Sequence, residues 1–387
     1  MTKKTLLLIF LLLSLLSKHS FSLNIDDDIR SGLTDIYNLK FDDAESKFIS
    51  VQKNNPEDVK GYFYQALIYY YRALPTRDEK MLDRFLDLSD KVIELCDKRL
   101  DKNENDIETL YYKGLAHSYR SLILLNLNKS LLKAASNGND GYRILSDVIK
   151  QKPDYYDAYM GLGLYKIAIG FVPEKFQWLL SIIGFDGNIK NGLDLLKTSL
   201  EKGKFTKIEA KVYYSISSIT EKEDNSTVSV DYAKQLVDEY PESPIFRLVY
   251  AMMLQERTRV DESITQVNKA LETNNRSLQN EMKKGGNALL GNAYFKKNDF
   301  ASAIRVIEEH LRYVNDEDRY NISLYTLGLC YELTGNRNKA LEFYSKTRTK
   351  FNEERDGELE KYAYRMSRER INSALRDIDS MIITANN

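Results

Sequence analysis

The sequence predicts an all-α solenoid, built from helical hairpins that stack side by side along one continuous chain. Apolar residues recur every three or four positions through most of the 387 residues, and no stretch alternates apolar and polar residues as a strand would. The sequence also repeats itself with a period of 37 to 40 residues, which is typical of helix pairs that bury their apolar faces against neighbouring pairs. We therefore expect about eighteen helices in a single repeat domain.

The first 22 residues are predicted to be a signal peptide. Two lysines precede an apolar run over residues 6–16, and Ser-Phe-Ser at residues 20–22 offers the small residues of a cleavage site. The run is about half the ~20 residues that a membrane span requires, so an uncleaved anchor is the less favoured alternative. No cysteine directly follows the run, which disfavours a lipoprotein anchor. We expect residues 23–387 to be exported, to the periplasm or the extracellular space if the source is bacterial, either free or docked on a membrane.

The composition disfavours a nucleic-acid partner. The chain carries 56 basic and 57 acidic residues, and loss of the signal peptide would leave 53 basic residues, hence a net charge of −4. Phosphate binding needs a basic surface, which this composition lacks overall. Cys96 lies on an apolar helix face and Cys330 lies inside a repeat helix far along the chain. We expect two buried free thiols rather than a disulfide or a reactive site.

The repeat pattern is defined by small residues at the eighth and twentieth places of each unit. At these places two helices must approach closely, and large residues fill the space between them. Three units show the pattern most clearly, with Gly32, Ala44 and Phe48 in the first, Gly291, Tyr294 and Ala303 in the second, and Gly328, Tyr331 and Ala340 in the third. The spacing is similar to that of tetratricopeptide repeats, a resemblance that implies a right-handed superhelix.

Other units differ in length from this pattern. Residues 118–137 are predicted to extend one helix until Asn-Gly-Asn at 137–139 ends it. A less regular helix pair is expected at 210–219 and 230–237. The final helix, at about residues 353–382, places apolar residues at helical spacing on a charged background, as expected of a polar cap on the open end of a solenoid.

Residues 161–200 depart from the repeat pattern. Pro173 suits the first turn of a helix at 174–183 whose apolar residues fall all round its axis, and Gly184 and Gly187 permit a tight reversal after it. Because no face of this helix is polar, we expect it to be covered, either by the protein's own superhelix, which we favour, or by a partner. The candidate interaction or structural residues are Pro173, Phe176, Trp178, Leu179, Ile182, Gly184, Phe185, Gly187 and Gly192.

This stretch resembles the central motif of the eukaryotic family of inclusion-body clearance protein and tetratricopeptide repeat protein 39. In that family a proline opens a short apolar helix, a Gly-Phe-x-Gly turn closes it, and a Gly-Leu pair lies early in the next helix. The same features occur here at Pro173, at residues 184–187 and at residues 192–193. The resemblance covers about forty positions, with looser similarity over most of the rest. It implies a helical-repeat architecture without enzymatic activity, whereas the family's cellular roles need not transfer to an exported protein.

The sequence contains no convincing catalytic or metal-binding motif. His117 and His310 stand alone without paired ligand spacing, and no GxSxG nucleophile motif is present. The 27 tyrosines are better explained by helix packing than by a binding surface. Asn292 sits at one position of a peptide-binding carboxylate clamp, but its neighbours do not continue the clamp. We expect no enzymatic activity, no cofactor and no metal.

The fold class favours an interaction protein, a scaffold or adaptor of the cell envelope. Its first helices are expected to line a concave groove that takes an extended peptide or a helix of a protein partner. The alternative is a carrier of a lipid or another apolar ligand, in a cavity closed by the 174–183 helix. An enzyme built on a solenoid scaffold is the least favoured interpretation.

Overall fold

The computed structural model describes residues 25–127, 129–171, 187–220, 226–272, 278–314, 320–347 and 358–375. Within these ranges it contains 17 α-helices and no strand, which confirms the predicted all-α solenoid. The helices are α1 (Ile25–Tyr37), α2 (Phe41–Asn54), α3 (Val59–Thr76), α4 (Glu79–Leu100), α5 (Ile107–Asn126), α6 (Leu131–Gln151), α7 (Ala158–Gly170), α8 (Ile189–Lys202), α9 (Lys207–Ser217), α10 (Ser226–Glu239), α11 (Pro244–Glu256), α12 (Val260–Leu271), α13 (Gln279–Lys296), α14 (Phe300–Leu311), α15 (Asn321–Leu333), α16 (Arg337–Ser345) and α17 (Glu358–Asn372). The predicted signal peptide lies outside the described residues.

Consecutive helices pack as hairpins, and the hairpins stack along the chain. The pairs are α1–α2, α3–α4, α5–α6, α7–α8, α9–α10, α11–α12, α13–α14 and α15–α16, and α17 packs on both helices of the last pair. No helix in the described part of the chain is long and apolar enough to cross a membrane.

The last helix is shorter than predicted. It ends at Asn372 rather than near residue 382. Arg337 donates to the backbone carbonyl of Arg370, and Glu332 accepts the backbone N–H of Leu375 at 3.1 Å. Because these side chains of the preceding hairpin satisfy backbone groups at the helix end, the chain leaves the helix there.

The small residues of the repeat lie where the two helices of a hairpin meet. A Cβ atom added to Gly32, Gly291 or Gly328 would lie 2.3 to 2.5 Å from a side chain of the partner helix. The side chains in question are Phe48, Ile307 and Tyr344, respectively. The alanines of the pattern, Ala44, Ala303 and Ala340, are completely buried, and of the tyrosines Tyr331 is buried and Tyr294 half-buried. Close approach at these positions therefore sets the distance between the two helices of each hairpin.

The first helices of the early repeats also pack against α9 and α11, far along the chain. The Tyr70 hydroxyl of α3 lies 3.4 Å from that of Tyr213 in α9. In α1, the ring of Tyr37 lies 5.4 Å from that of Tyr240 and 5.7 Å from that of Phe246. One continuous apolar core results, with buried members from Ile29 to Leu278. In this part of the solenoid the first-helix face is filled by the protein's own aromatic side chains.

The structure corrects the helix predicted over residues 118–137. This segment forms parts of two helices, because α5 ends at Asn126 and the Ser130 hydroxyl caps α6 by accepting the N–H of Lys133 at 3.3 Å. Helix α6 then continues through residues 137–139. Asn137 Oδ1 lies 3.0 Å from His117 Nδ1, and the Asn137 amide donates to the Lys133 carbonyl at 2.8 Å, so its side chain is satisfied inside the helix.

Both cysteines are free and buried, as expected. Burial raises the pKa of the Cys96 and Cys330 thiols to about 12. Neither thiol is therefore a nucleophile near neutral pH.

Candidate functional site: an apolar groove between α5, α6 and α7

Three glycines of the central motif bring α7 and α8 into backbone contact. A Cβ atom on Gly163 would lie 2.7 Å from the carbonyl oxygen of Gly192, and one on Gly192 would lie 2.8 Å from the carbonyl oxygen of Gly163. Gly187 packs equally closely on the backbone of Gly170, at 2.5 Å from its nitrogen. Asn188 caps α8, since its side-chain oxygen accepts the N–H of Asn191 at 2.8 Å.

The other candidate residues of the central motif lie outside the described residues. These are Pro173, Phe176, Trp178, Leu179, Ile182, Gly184 and Phe185. Whether the 174–183 segment is internal or serves as a docking element therefore stays a prediction.

Beside this glycine contact, α5, α6 and α7 enclose a groove of about 270 Å³. Its walls are mostly aliphatic, and the polar groups that reach it belong to two serines and one tyrosine. The lining residues are Ser118, Ser121, Leu122 and Leu125 of α5, Leu131, Ala134, Ala135 and Gly138 of α6, and Gly161, Leu164, Tyr165, Ala168 and Ile169 of α7.

Helix length and small side chains explain why the groove exists. Helices α5 and α6 have 20 and 21 residues, whereas α7 has 13, so the loop end of the α5–α6 hairpin extends past the last turn of α7. Small residues line the walls on both sides, with Ala134, Ala135 and Gly138 on α6 and Gly161 and Ala168 on α7. Small residues on both walls leave space that larger side chains would fill.

Exposed apolar side chains lie at the groove and next to it in the sequence. Of the lining residues, Leu131 is 44% exposed and Leu125 41%. Leu132, which follows Leu131, is 85% exposed, and Phe171, two residues after the lining residue Ile169, is 51% exposed. Large side chains so open to water lose the stabilisation that burial would give, roughly 1.5–3 kcal/mol for each one fully covered. Clustered exposure of this kind marks interaction surfaces in soluble proteins.

The polar side chains around the groove hold its wall in place. The rings of Tyr165 in α7 and Tyr142 in α6 stack at 4.3 Å, and the Lys166 ammonium lies 5.3 Å from the centre of the Tyr142 ring. The Ser118 hydroxyl donates to the Gly114 carbonyl at 2.9 Å. Burial lowers the pKa of His117, which lies on α5. These groups offer no nucleophile paired with a base, so the groove can bind apolar groups but shows no arrangement for catalysis.

Sequence reasoning missed this groove. It placed the functional surface on the first helices, whereas the groove depends on the break between α5 and α6. A signal for the break was present, because Ser130 stands directly before two leucines and is a good N-cap residue. At the one clamp-like position, where no clamp was predicted, the Asn292 amide donates to the Gln255 side-chain oxygen at 2.7 Å. In the described part of the chain no group of acidic, histidine or cysteine side chains could hold a metal ion.

Two protein-family models match the chain. The model of the Iml2/Tetratricopeptide repeat protein 39 family matches residues 157–317, less than half of the chain, and a general tetratricopeptide-repeat model matches residues 289–353. No curated protein matches the chain in sequence.

One solved structure shares the fold at low sequence identity, and two others show a weaker similarity. A chain of the APC/C hetero-tetramer Cut9-Hcn1 has a TM-score of 0.54 at 11% identity, over 89% of this chain and 55% of that one. This chain thus spans about half the length of that relative. Yeast Tom70 has a TM-score of 0.42 at 12% identity, over 95% of this chain and 99% of Tom70. The human IFIT1 dimer with m7Gppp-AAAA has 0.48 at 14%, over 94% and 80%.

The repeat geometry and the matches define the class: the chain is a tetratricopeptide-repeat protein. Its central part resembles the Iml2/Tetratricopeptide repeat protein 39 family, as the motif at residues 161–200 led us to expect. Proteins of the tetratricopeptide type generally mediate protein–protein interaction and are generally not enzymes.

Proposed function

We propose that this protein is an exported, non-enzymatic scaffold or adaptor that binds the apolar face of a partner helix in the groove between α5, α6 and α7. The proposal rests on an apolar groove of about 270 Å³ whose lining includes the exposed leucines Leu125 and Leu131. The concave face favoured from the sequence is the weaker candidate, because aromatic packing fills it between α1 and α11.

The size of the groove suits side chains of a partner. A cavity of about 150 Å³ holds one benzene molecule, so this groove has room for about two large side chains. On a helix, two such anchors lie on one face when they are three or four residues apart. A helix also satisfies its own backbone hydrogen bonds, whereas an extended peptide needs partners for them, and the aliphatic walls offer few.

Filling the groove should abolish partner binding without destabilising the fold. Ala135 is exposed and lines the groove, so Ala135→Trp should occupy it while the melting temperature changes little. Ser136, the next residue of α6, is also small and exposed but does not line the groove, so Ser136→Trp is a matched control. The measurement is a pull-down of the mature protein from its own envelope or secretion fraction, compared across the wild type and the two variants. Equal recovery of partners by all three would refute the groove as the binding site.

A second candidate function is transport of a lipid or another apolar ligand. The observation in its favour is the same aliphatic lining, since an acyl chain also needs no hydrogen bonds from the walls. Native mass spectrometry after gentle purification separates the two functions. A carrier retains a bound lipid that Ala135→Trp excludes, whereas a partner-binding scaffold is found at its polypeptide mass.

The export part of the proposal rests on residues 1–22. The charged start, the short apolar run and the Ser-Phe-Ser site support cleavage after Ser22. N-terminal sequencing of protein from the exporting organism should therefore start at Leu23. A start at Met1 or Thr2 would contradict export by cleavage.

A further inference from the structure

A second cavity, of about 140 Å³, lies inside the solenoid. It shares no lining residue with the groove. Helices α1, α2, α3, α9 and α11 contribute to its wall. Five aromatic rings and one carboxyl group line it, namely Tyr37, Phe41, Tyr71, Tyr213, Phe246 and Glu209. The other lining residues are aliphatic, so the cavity combines aromatic side chains with a single acidic group.

The carboxyl group of Glu209 has hydroxyl partners but no cationic one. It is 5% exposed, and its Oε1 accepts a hydrogen bond from Tyr119 at 2.6 Å and another from Tyr71. No lysine, arginine or histidine in the described ranges forms an ion pair with it. Burial raises the pKa of Glu209, while the two hydrogen bonds act in the opposite direction. Without a counter-ion, burial favours the protonated acid, and a bound cation would favour the charged carboxylate.

Tyr37, which also lines the cavity, carries an unpaired hydroxyl group. Tyr37 is buried, and its hydroxyl oxygen has no hydrogen-bond partner among the described residues. Buried hydroxyl groups normally find a partner. This oxygen has almost no accessible surface, so a ligand in the cavity would pair with it once the Tyr37 side chain turns toward the cavity.

We propose that this cavity binds a small organic ammonium ion that carries a hydroxyl or similar polar substituent. Aromatic ring faces attract such a cation, and the carboxylate of Glu209 supplies the opposite charge. The Tyr37 hydroxyl would pair with the polar substituent. The volume is close to the ~150 Å³ that accommodates benzene, which limits the ligand to about that size.

The surroundings are compatible with entry of such a ligand. Four of the lining residues are only half-buried, so the cavity lies close to the protein surface; they are Tyr71, Val212, Tyr213 and Ile245. The Arg72 guanidinium lies 5.8 Å from the centre of the Phe41 ring, so that ring already interacts with a cation of the chain itself. The four remaining rings are the ones proposed to contact the ligand.

Calorimetric titration of the mature protein with choline tests the proposal. Choline has the proposed size, charge and hydroxyl group, and dimethylbutanol, in which a carbon atom replaces the nitrogen, is its uncharged isostere. We expect choline to bind at least about tenfold more tightly than dimethylbutanol, because only choline gains the cation–ring and carboxylate interactions. Glu209→Gln should weaken choline binding by at least about tenfold and leave the weak binding of dimethylbutanol unchanged.

Three further variants keep the test decisive. Glu45 accepts a hydrogen bond from Tyr69 at 2.6 Å outside the cavity, so Glu45→Gln makes the same chemical change and should leave choline binding unchanged. Tyr37→Phe removes a hydroxyl without a protein partner, so the protein should stay folded while choline binds several-fold more weakly. Ala135→Trp should have no effect, because the groove is a separate site.

Three outcomes would overturn the proposal. They are equal affinity for choline and dimethylbutanol, absence of binding by both, and unchanged choline binding in a folded Glu209→Gln variant. If Glu209→Gln does not fold, unchanged choline binding by the folded Tyr37→Phe variant decides against the site.

Discussion

Gly328→Leu and Gly291→Leu are each expected to lower the free energy of unfolding by about 2 kcal/mol or more. A Cβ atom at position 328 would lie 2.3 Å from Cε1 of Tyr344, and one at position 291 would lie 2.5 Å from Cγ1 of Ile307. The Tyr344 ring is completely buried and its hydroxyl donates to Glu332 at 2.8 Å, so it cannot move aside without losing that bond. Denaturant titration followed by circular dichroism measures the change.

Gly285→Ala provides the control for these substitutions. Gly285 is an exposed residue of α13, and a Cβ atom there would have no neighbour within 4 Å. Since alanine restricts the unfolded chain and favours a helix, this change should raise the free energy of unfolding by about 0.4–1 kcal/mol. If Gly328→Leu and Gly291→Leu had the same denaturant midpoints as the wild type, the repeat positions would be assigned wrongly.

Asp157→Ala should lower the free energy of unfolding by about 3 kcal/mol. Its Oδ1 accepts the backbone N–H groups of Lys204, Phe205 and Thr206 at 2.8 to 3.0 Å, and the Thr206 hydroxyl at 2.8 Å. Through these hydrogen bonds, Asp157 links the start of α7 to the start of α9. Alanine leaves these donors without their acceptor, and thermal or chemical unfolding records the loss.

Two variants separate the role of this acceptor from general effects of substitution. Asp157→Asn keeps an oxygen at the same position but loses the charge, so its loss should be smaller than that of alanine. Asp154 lies nearby on the surface, and Asp154→Ala should change stability by no more than about 0.5 kcal/mol. An unfolding midpoint of Asp157→Ala equal to that of the wild type would contradict a stabilising role for these hydrogen bonds.

The hairpin contacts could be predicted because their cause is local. Gly291 and Ile307, like Gly328 and Tyr344, are 16 residues apart in one hairpin, so their contact depends only on a helix, a turn and a second helix. The spacing of small and large residues therefore carries the information, and the same holds for the glycine contact between α7 and α8.

The two candidate sites depend on features that this spacing does not contain. Glu209 meets Tyr71 and Tyr119, which lie 138 and 90 residues earlier in the chain. That contact follows from the curvature of the whole stack, which accumulates over several hairpins. The groove depends on a single capping serine, Ser130, inside a run of leucines whose helical pattern otherwise continues across the break.

The contacts of α1 with the α10–α11 hairpin junction have a consequence for how this protein can change during evolution. Tyr37 meets Tyr240 and Phe246 only because a fixed number of hairpins separates them. Insertion or deletion of one hairpin between them would rotate the later helices away and expose that aromatic contact. Beyond α12 the described helices contact mainly their neighbours along the chain, so hairpins can be gained or lost there at much lower cost. Repeat number is therefore constrained in the first two thirds of the solenoid and adjustable in the last.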